Sequence, residues 1–249
     1  MDIYLATTGS QNKAYFTDEM HDGVKILESF YYVDEWTERL LPFFGEFLLD
    51  SGAFTFMNNQ SKLNKDIDWI EYINRYAEFI NKNNIKLFFE LDIDVIVGYE
   101  KVLEYRKLLE QKTNKKCIPV WHKSRGKDEF IKMCKEYDYV AIGGLVTKEI
   151  ASTEYKYFTW FINIAHKYGA KIHGLGFTNL KGLEKYHFDS VDSTSWTTGN
   201  RFGAVYKFNG RTMEKVNKKE GQRLADSKAV AIHNFTEWVK FQKWAERNL

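Results

Sequence analysis

From Tyr139 to Gly176 the chain reads YVAIGGLVTKEIASTEYKYFTWFINIAHKYGAKIHGLG. The apolar run Tyr139 to Ile142 ends in Gly143-Gly144, a segment with helical spacing follows from Tyr155 to Tyr168, and Gly169 stands where helices commonly stop. A second apolar run, Lys171 to Leu175, comes next. Two short runs separated by a helix describe a βαβ unit, because antiparallel neighbours need only a tight turn whereas parallel strands need a crossover. Outward from this unit the alternation repeats. Candidate strands are Ile3 to Thr7, Lys25 to Tyr32, Glu46 to Leu49, Lys86 to Leu91, Cys117 to Trp121 and Phe188 to Val191. Candidate outer helices are Ile67 to Asn83, with Ile70, Ile73, Tyr76, Ala77 and Ile80 on one face, Val102 to Leu109, Phe130 to Tyr137 and Leu224 to Arg247. Eight runs with interleaved helices predict an α/β fold of the (β/α)₈, TIM-barrel type.

The length of 249 residues fits one such barrel, and the chain carries no repeat or low-complexity linker, so a single domain over 1–249 is expected. The segment Thr197 to Gly221, rich in glycine and lysine, reads as a basic loop or hairpin inserted beside the active face. A composition of 44% hydrophobic and 28% charged residues excludes a disordered chain. The absence of any long apolar stretch argues against a membrane span, and the two cysteines, Cys117 and Cys134, suit a reducing compartment, so a cytoplasmic location is expected. A net charge of +2 means that any nucleic-acid contact must be local.

Polar residues and glycines collect where the candidate strands end: Asp50-Ser51-Gly52, Asp92 and Asp94, His122, Gly143-Gly144, His173-Gly174, and Asp189 through Asp192. In a barrel those ends meet at one mouth, where such folds carry their chemistry. Two carboxylates facing one cavity supply what substitution at a sugar's anomeric carbon needs, one to attack and one to manage a proton. Asp50 and Asp189 are the expected pair, with Asp192 the competing nucleophile. An Asp before Ser-Gly is also an ordinary turn residue, and Asp189 could equally be a cap. Asp92 suits recognition of the amino and imino edge of a guanine-like base. The paired glycines would let a flat ligand approach the backbone. His122 and His173 leave open a metal-dependent or base-releasing barrel hydrolase, although no metal-ligand spacing is present. A non-catalytic nucleobase or nucleic-acid binding module is the other alternative.

The ordered motifs Asp50-Ser51-Gly52-Ala53-Phe54, Leu91-Asp92, Gly143-Gly144-Leu145, His173-Gly174-Leu175-Gly176 and Phe188-Asp189-Ser190 resemble those of the tRNA-guanine transglycosylases, over roughly 46–201. The resemblance is strongest to the short, phage-associated branch that inserts deazaguanines into DNA. It implies an enzyme that exchanges guanine for a 7-deazaguanine through a covalent glycosyl-aspartate, with Asp189 as nucleophile and Asp50 as general base. It further implies base contacts from Ser51, Phe54, Asp92, Gly144 and Leu145. His122 occupies the place where that family commonly carries a glutamine. His122, His173 and Gly174 complete the expected substrate pocket. The tRNA enzymes carry a zinc subdomain of three cysteines and a histidine that this sequence lacks, and Ala53 replaces their second motif glycine. DNA is therefore the expected acceptor over tRNA, with no metal and no cofactor, and the sequence leaves a homodimer open. Arg201, Lys215, Lys218 and Lys219 are the expected phosphate contacts.

Overall fold

The computed structural model describes residues 1–7, 17–53, 55–56, 67–177, 179–197, 203–217 and 226–249. Eight strands form one parallel sheet: β1 Asp2–Thr7, β2 Lys25–Ser29, β3 Glu46–Asp50, β4 Leu87–Phe88, β5 Val120–Trp121, β6 Tyr139–Ile142, β7 Lys171–Gly174 and β8 Ser190–Ser193. Their order is β4-β3-β2-β1-β8-β7-β6-β5, so the first and eighth strands are neighbours at the centre. The sheet curls strongly. Its concave face packs Tyr4, Ala6, Leu27 and Leu48 from one half against Ile118, Val120 and Ala141 from the other. The two edges are linked by a single parallel bridge, Phe89 with Ile118.

That seam is where the expected and observed strands differ most. The runs Lys86 to Leu91 and Cys117 to Trp121 predict full strands, but β4 and β5 are two residues each. Beyond the bridge, the Glu90 side chain takes over the ladder, its Oε1 accepting the Val120 N–H at 2.8 Å. Arg106 donates to Glu90 Oε2 at 2.5 Å, and Arg125 donates to Oε1 at 2.8 Å and to Asp94 at 3.1 Å. A carboxylate accepting a peptide N–H and two guanidinium groups in the interior satisfies charges that would otherwise be costly to bury.

Helices α1 Glu35–Leu40, α2 Trp69–Lys82, α3 Asp94–Val97, α4 Tyr99–Thr113, α5 Gly126–Glu136, α6 Phe158–Lys167, α7 Leu180–Leu183 and α8 Ser227–Asn248 accompany the sheet. Asp68 and Asp226 cap α2 and α8 through side-chain bonds to first-turn N–H groups. The α2 stripe is Tyr72, Ile73, Tyr76, Ala77, Phe79 and Ile80; Ile70, expected on that face, is 47% exposed. From α8, Gln242 closes the N-terminal rim: its amide donates to Ile3 O at 2.6 Å and Lys25 O at 2.8 Å and accepts from Lys25 N at 3.1 Å.

The expected insertion contains a hairpin, β9 Ala204–Phe208 and β10 Met213–Asn217, packed on α8. Phe208 meets Phe241 and Trp244 near the helix end that Gln242 fixes to the opposite rim, and Arg211 at the hairpin turn pairs with Glu184. Lys215 thus lies on the outer flank, its ammonium over the Tyr206 ring. Arg201, Lys218 and Lys219 lie outside the described residues, as does Phe54.

Candidate active site

Alternation along each strand decides which polar side chains enter the curl. On β3, Leu48 belongs to the interior cluster, so Asp50 follows it inward at the C-terminal end. His122 follows Val120, Gly143 follows Ala141, and His173 lies against Tyr4 and Phe89. On β8, Ser190 bonds the inward Tyr139 and His173, so Asp192 points the same way.

Asp189 does not. Its backbone bonds Asp2 N and Ile172 O, which places it before β8 at the sheet's N-terminal rim. Its carboxylate accepts from Ile172 N at 2.8 Å and meets His166 of α6 at 2.9 Å. The sequence reading begins the eighth strand at Phe188 and places Asp189 at the mouth. In the structure Tyr186 and Phe188 instead pack with Phe158 and Phe177 in the outer layer, and the strand begins one residue after Asp189. The carboxylate that β8 brings to the mouth is Asp192.

Three acids therefore converge. Burial, then the charge of Asp92, raises the Asp50 carboxyl to about 7; the Gly52 N–H, 3.0 Å from Oδ2, pulls the other way, and Asp192 adds a further upward push. Gly52 has φ +85°, and a Cβ there would stand 3.0 Å from both Tyr31 Cβ and the Tyr72 hydroxyl, so glycine is required for this turn. The Tyr72 hydroxyl donates to Ser51 O at 2.7 Å, fixing the segment further. Ser51 Oγ is buried with no hydrogen-bond partner.

Asp92 Oδ2 faces His122 Nε2 at 3.2 Å, and His122 Nδ1 faces Glu149 Oε2 at 3.0 Å. Burial disfavours the imidazolium, but the two carboxylates outweigh it and raise His122 to about 10, so the ring is a cation at neutral pH. The hydrogen bond from His122 in turn lowers Glu149. Glu149 also accepts from Ser124 N at 3.1 Å. Sequence reading missed Glu149, an acid in a loop with no motif to mark it. Gly143 and Gly144 serve this pair: added Cβ atoms would fall 2.7 Å from His122 Cε1 and 2.7 Å from Glu149 Oε2. The glycines expected to admit a flat ligand instead make room for an acid-histidine-acid clamp on Asp92. Leu145, next to them, is buried in the outer cluster.

Asp94, expected with Asp92 at a strand end, begins α3 and pairs with Arg125 in the seam. His173 is fully buried, with Ser190 Oγ 2.5 Å from Nδ1 and Asp192 Oδ1 3.2 Å from Nε2. Both ring nitrogens are occupied, so it supports Asp192 rather than facing substrate. Gly174 packs against Phe177 and Phe188. Asp192 Oδ1 also accepts the Gly176 N–H at 2.5 Å. Among the described residues no group of three histidines, cysteines or acids is arranged to hold a metal.

Chemically, the mouth offers an oriented carboxylate, an acid poised to exchange a proton near neutrality, and a third carboxylate held by an imidazolium. The chain matches no protein-family model, and no curated protein matches it.

Proposed function

We propose that the chain is a nucleic-acid base transglycosylase that exchanges guanine, in DNA, for a 7-deazaguanine through a covalent glycosyl-enzyme on Asp192. The single observation that carries this is the unequal engagement of the Asp192 oxygens beside Asp50. Oδ1 takes Gly176 N–H and His173, while among the described residues no hydrogen bond engages Oδ2. A carboxylate so held presents one oxygen for attack, and a neighbouring acid with a pKa near 7 both gives and takes protons efficiently.

In this reading Asp192 Oδ2 attacks C1′ of the target nucleotide as the bond to guanine breaks, and the leaving base takes its proton from Asp50. The incoming deazaguanine returns a proton to the Asp50 carboxylate and displaces Asp192 from C1′, so atoms and charge balance over two inversions. Asp92, clamped by His122, accepts hydrogen bonds from the amino and imino groups of the base. The base reaches the mouth by leaving its stack, at a cost of a few kcal/mol on a duplex. The fold of this reading is a single closed (β/α)₈ barrel with the Phe89 to Ile118 bridge as its seam. The DNA acceptor and the deazaguanine rest on the family resemblance, and a cytoplasmic setting on the cysteine usage and the lack of a long apolar stretch in the sequence.

The test is adduct trapping. Protein incubated with guanine-containing DNA and quenched in denaturant retains a covalent adduct in the wild type and in Asp189→Asn, and loses it in Asp192→Asn. An adduct that survives in Asp192→Asn and disappears in Asp189→Asn returns the nucleophile to Asp189. No adduct in wild-type protein on DNA or RNA, with nucleic-acid binding intact, favours a binding module.

A further inference from the structure

We propose that Tyr139, Ser190 and His173 form a hydrogen-bonded column of fixed polarity through the curled sheet, which locks the His173 tautomer and so orients Asp192 with Oδ2 free. The column is a property of the folded chain; its use in attack on C1′ rests on the transglycosylase reading. Its members come from three adjacent strands, β6, β7 and β8, whose register sets Ala141 beside His173 and His173 beside Ser190.

The polarity follows link by link. Asp192 Oδ1 accepts the Gly176 amide, which can only donate, so the carboxylate oxygen is an acceptor there. With Asp192 ionised, His173 Nε2, facing the same oxygen, carries its proton. In a neutral ring Nδ1 is then an acceptor, and the Ser190 hydroxyl at 2.5 Å must donate to it. With its one proton spent, Ser190 Oγ is left to accept, and the Tyr139 hydroxyl bonded to it is the donor. Burial, the largest influence on Tyr139, pushes its phenol above the ordinary range and keeps it a donor.

Reversing any link leaves two protons or two lone pairs face to face in a dry interior, where an unmade hydrogen bond costs about 1–3 kcal/mol. His173 is 0% and Ser190 1% exposed, so no water replaces a lost partner cheaply. Neither Tyr139 nor Ser190 touches the mouth. They act as positioning residues, comparable to the outer partners that fix the ring orientation of working histidines.

Nitrogen-15 NMR of the histidine rings in substrate-free protein reads the column directly. The expected result is one His173 tautomer, protonated at Nε2 with Nδ1 unprotonated. Ser190→Ala should release the lock, giving mixed tautomers, and Tyr139→Phe should do so partially while keeping the ring that fills the interior. In base exchange both variants should lower kcat, Ser190→Ala by tenfold or more, with KM for the incoming base unchanged. A His173 ring protonated at Nδ1 in wild type, or a tautomer untouched by both variants, overturns the proposal. Because the tautomer is measured without substrate, the column stands or falls apart from adduct formation, which alone judges the transglycosylase reading.

Discussion

Two clusters of buried acid sit at neighbouring places in this fold and are treated oppositely. At the seam, Glu90 and Asp94 meet Arg106 and Arg125, two anions against two cations, and the guanidinium groups hold Glu90 below the ordinary carboxylate range despite its burial. At the mouth, the His122 imidazolium is paired with Asp92 and Glu149 alone, and Asp50, facing the charges of Asp92 and Asp192, is left to rise to about 7. The seam shows what burying a carboxylate for structure requires, namely a cation for each anion. The mouth is under-compensated, and such sites are where strongly shifted pKa values signal chemistry.

The comparison can be broken at its strongest point first. Glu90→Ala strands two guanidinium groups and removes the acceptor for Val120 N, so unfolding in denaturant should show a loss of about 3–5 kcal/mol. A loss under about 1 kcal/mol would mean that the seam does not depend on this carboxylate. Asp50→Asn should do the opposite. Because the folded-state pKa of Asp50 is raised to about 7, the wild type loses stability as pH climbs from the unfolded value near 4 to about 7. The amide avoids that loss, so the variant should be the more stable protein above pH 7, by roughly 1–2 kcal/mol after allowing for partial exposure. The advantage should vanish below about pH 4, while base exchange is lost throughout. The third effect concerns His122, whose pKa is raised from 6.5 to about 10. Its stabilisation is complete below about pH 6.5 and is lost as pH rises through about 10. Melting temperature should therefore fall between pH 7 and 10 more steeply in wild type than in His122→Gln; equal slopes would place the titration elsewhere.

The same contrast explains what the sequence made legible. The βαβ alternation is written in apolar runs because outward strand residues such as Ile172 and Val191 pack under the helices. The eighth strand resisted reading because it is Ser-Val-Asp-Ser, with one apolar residue in four. Its inward positions are spent on polar side chains, so the expected strand, Phe188 to Val191, starts two residues early at the neighbouring aromatic and stops before Asp192. Asp50 was legible because Leu48 and Leu49 lead into it without a break. Glu149 was not, since its partnership with His122 arises from a loop folding over Gly144. The seam strands were overestimated because no local pattern announces that a side chain will replace a peptide group.

The three bonds of Gln242 carry a consequence for the order of events in synthesis. Residue 242 ties the beginnings of the first two strands, and the first strand must also wait for the eighth as its neighbour. A ribosome releases the N-terminal strands long before these partners exist, and contacts so distant in sequence are entropically slow to form. The N-terminal strands therefore leave the exit tunnel with an edge of β1 that stays unpaired until β8 has been made.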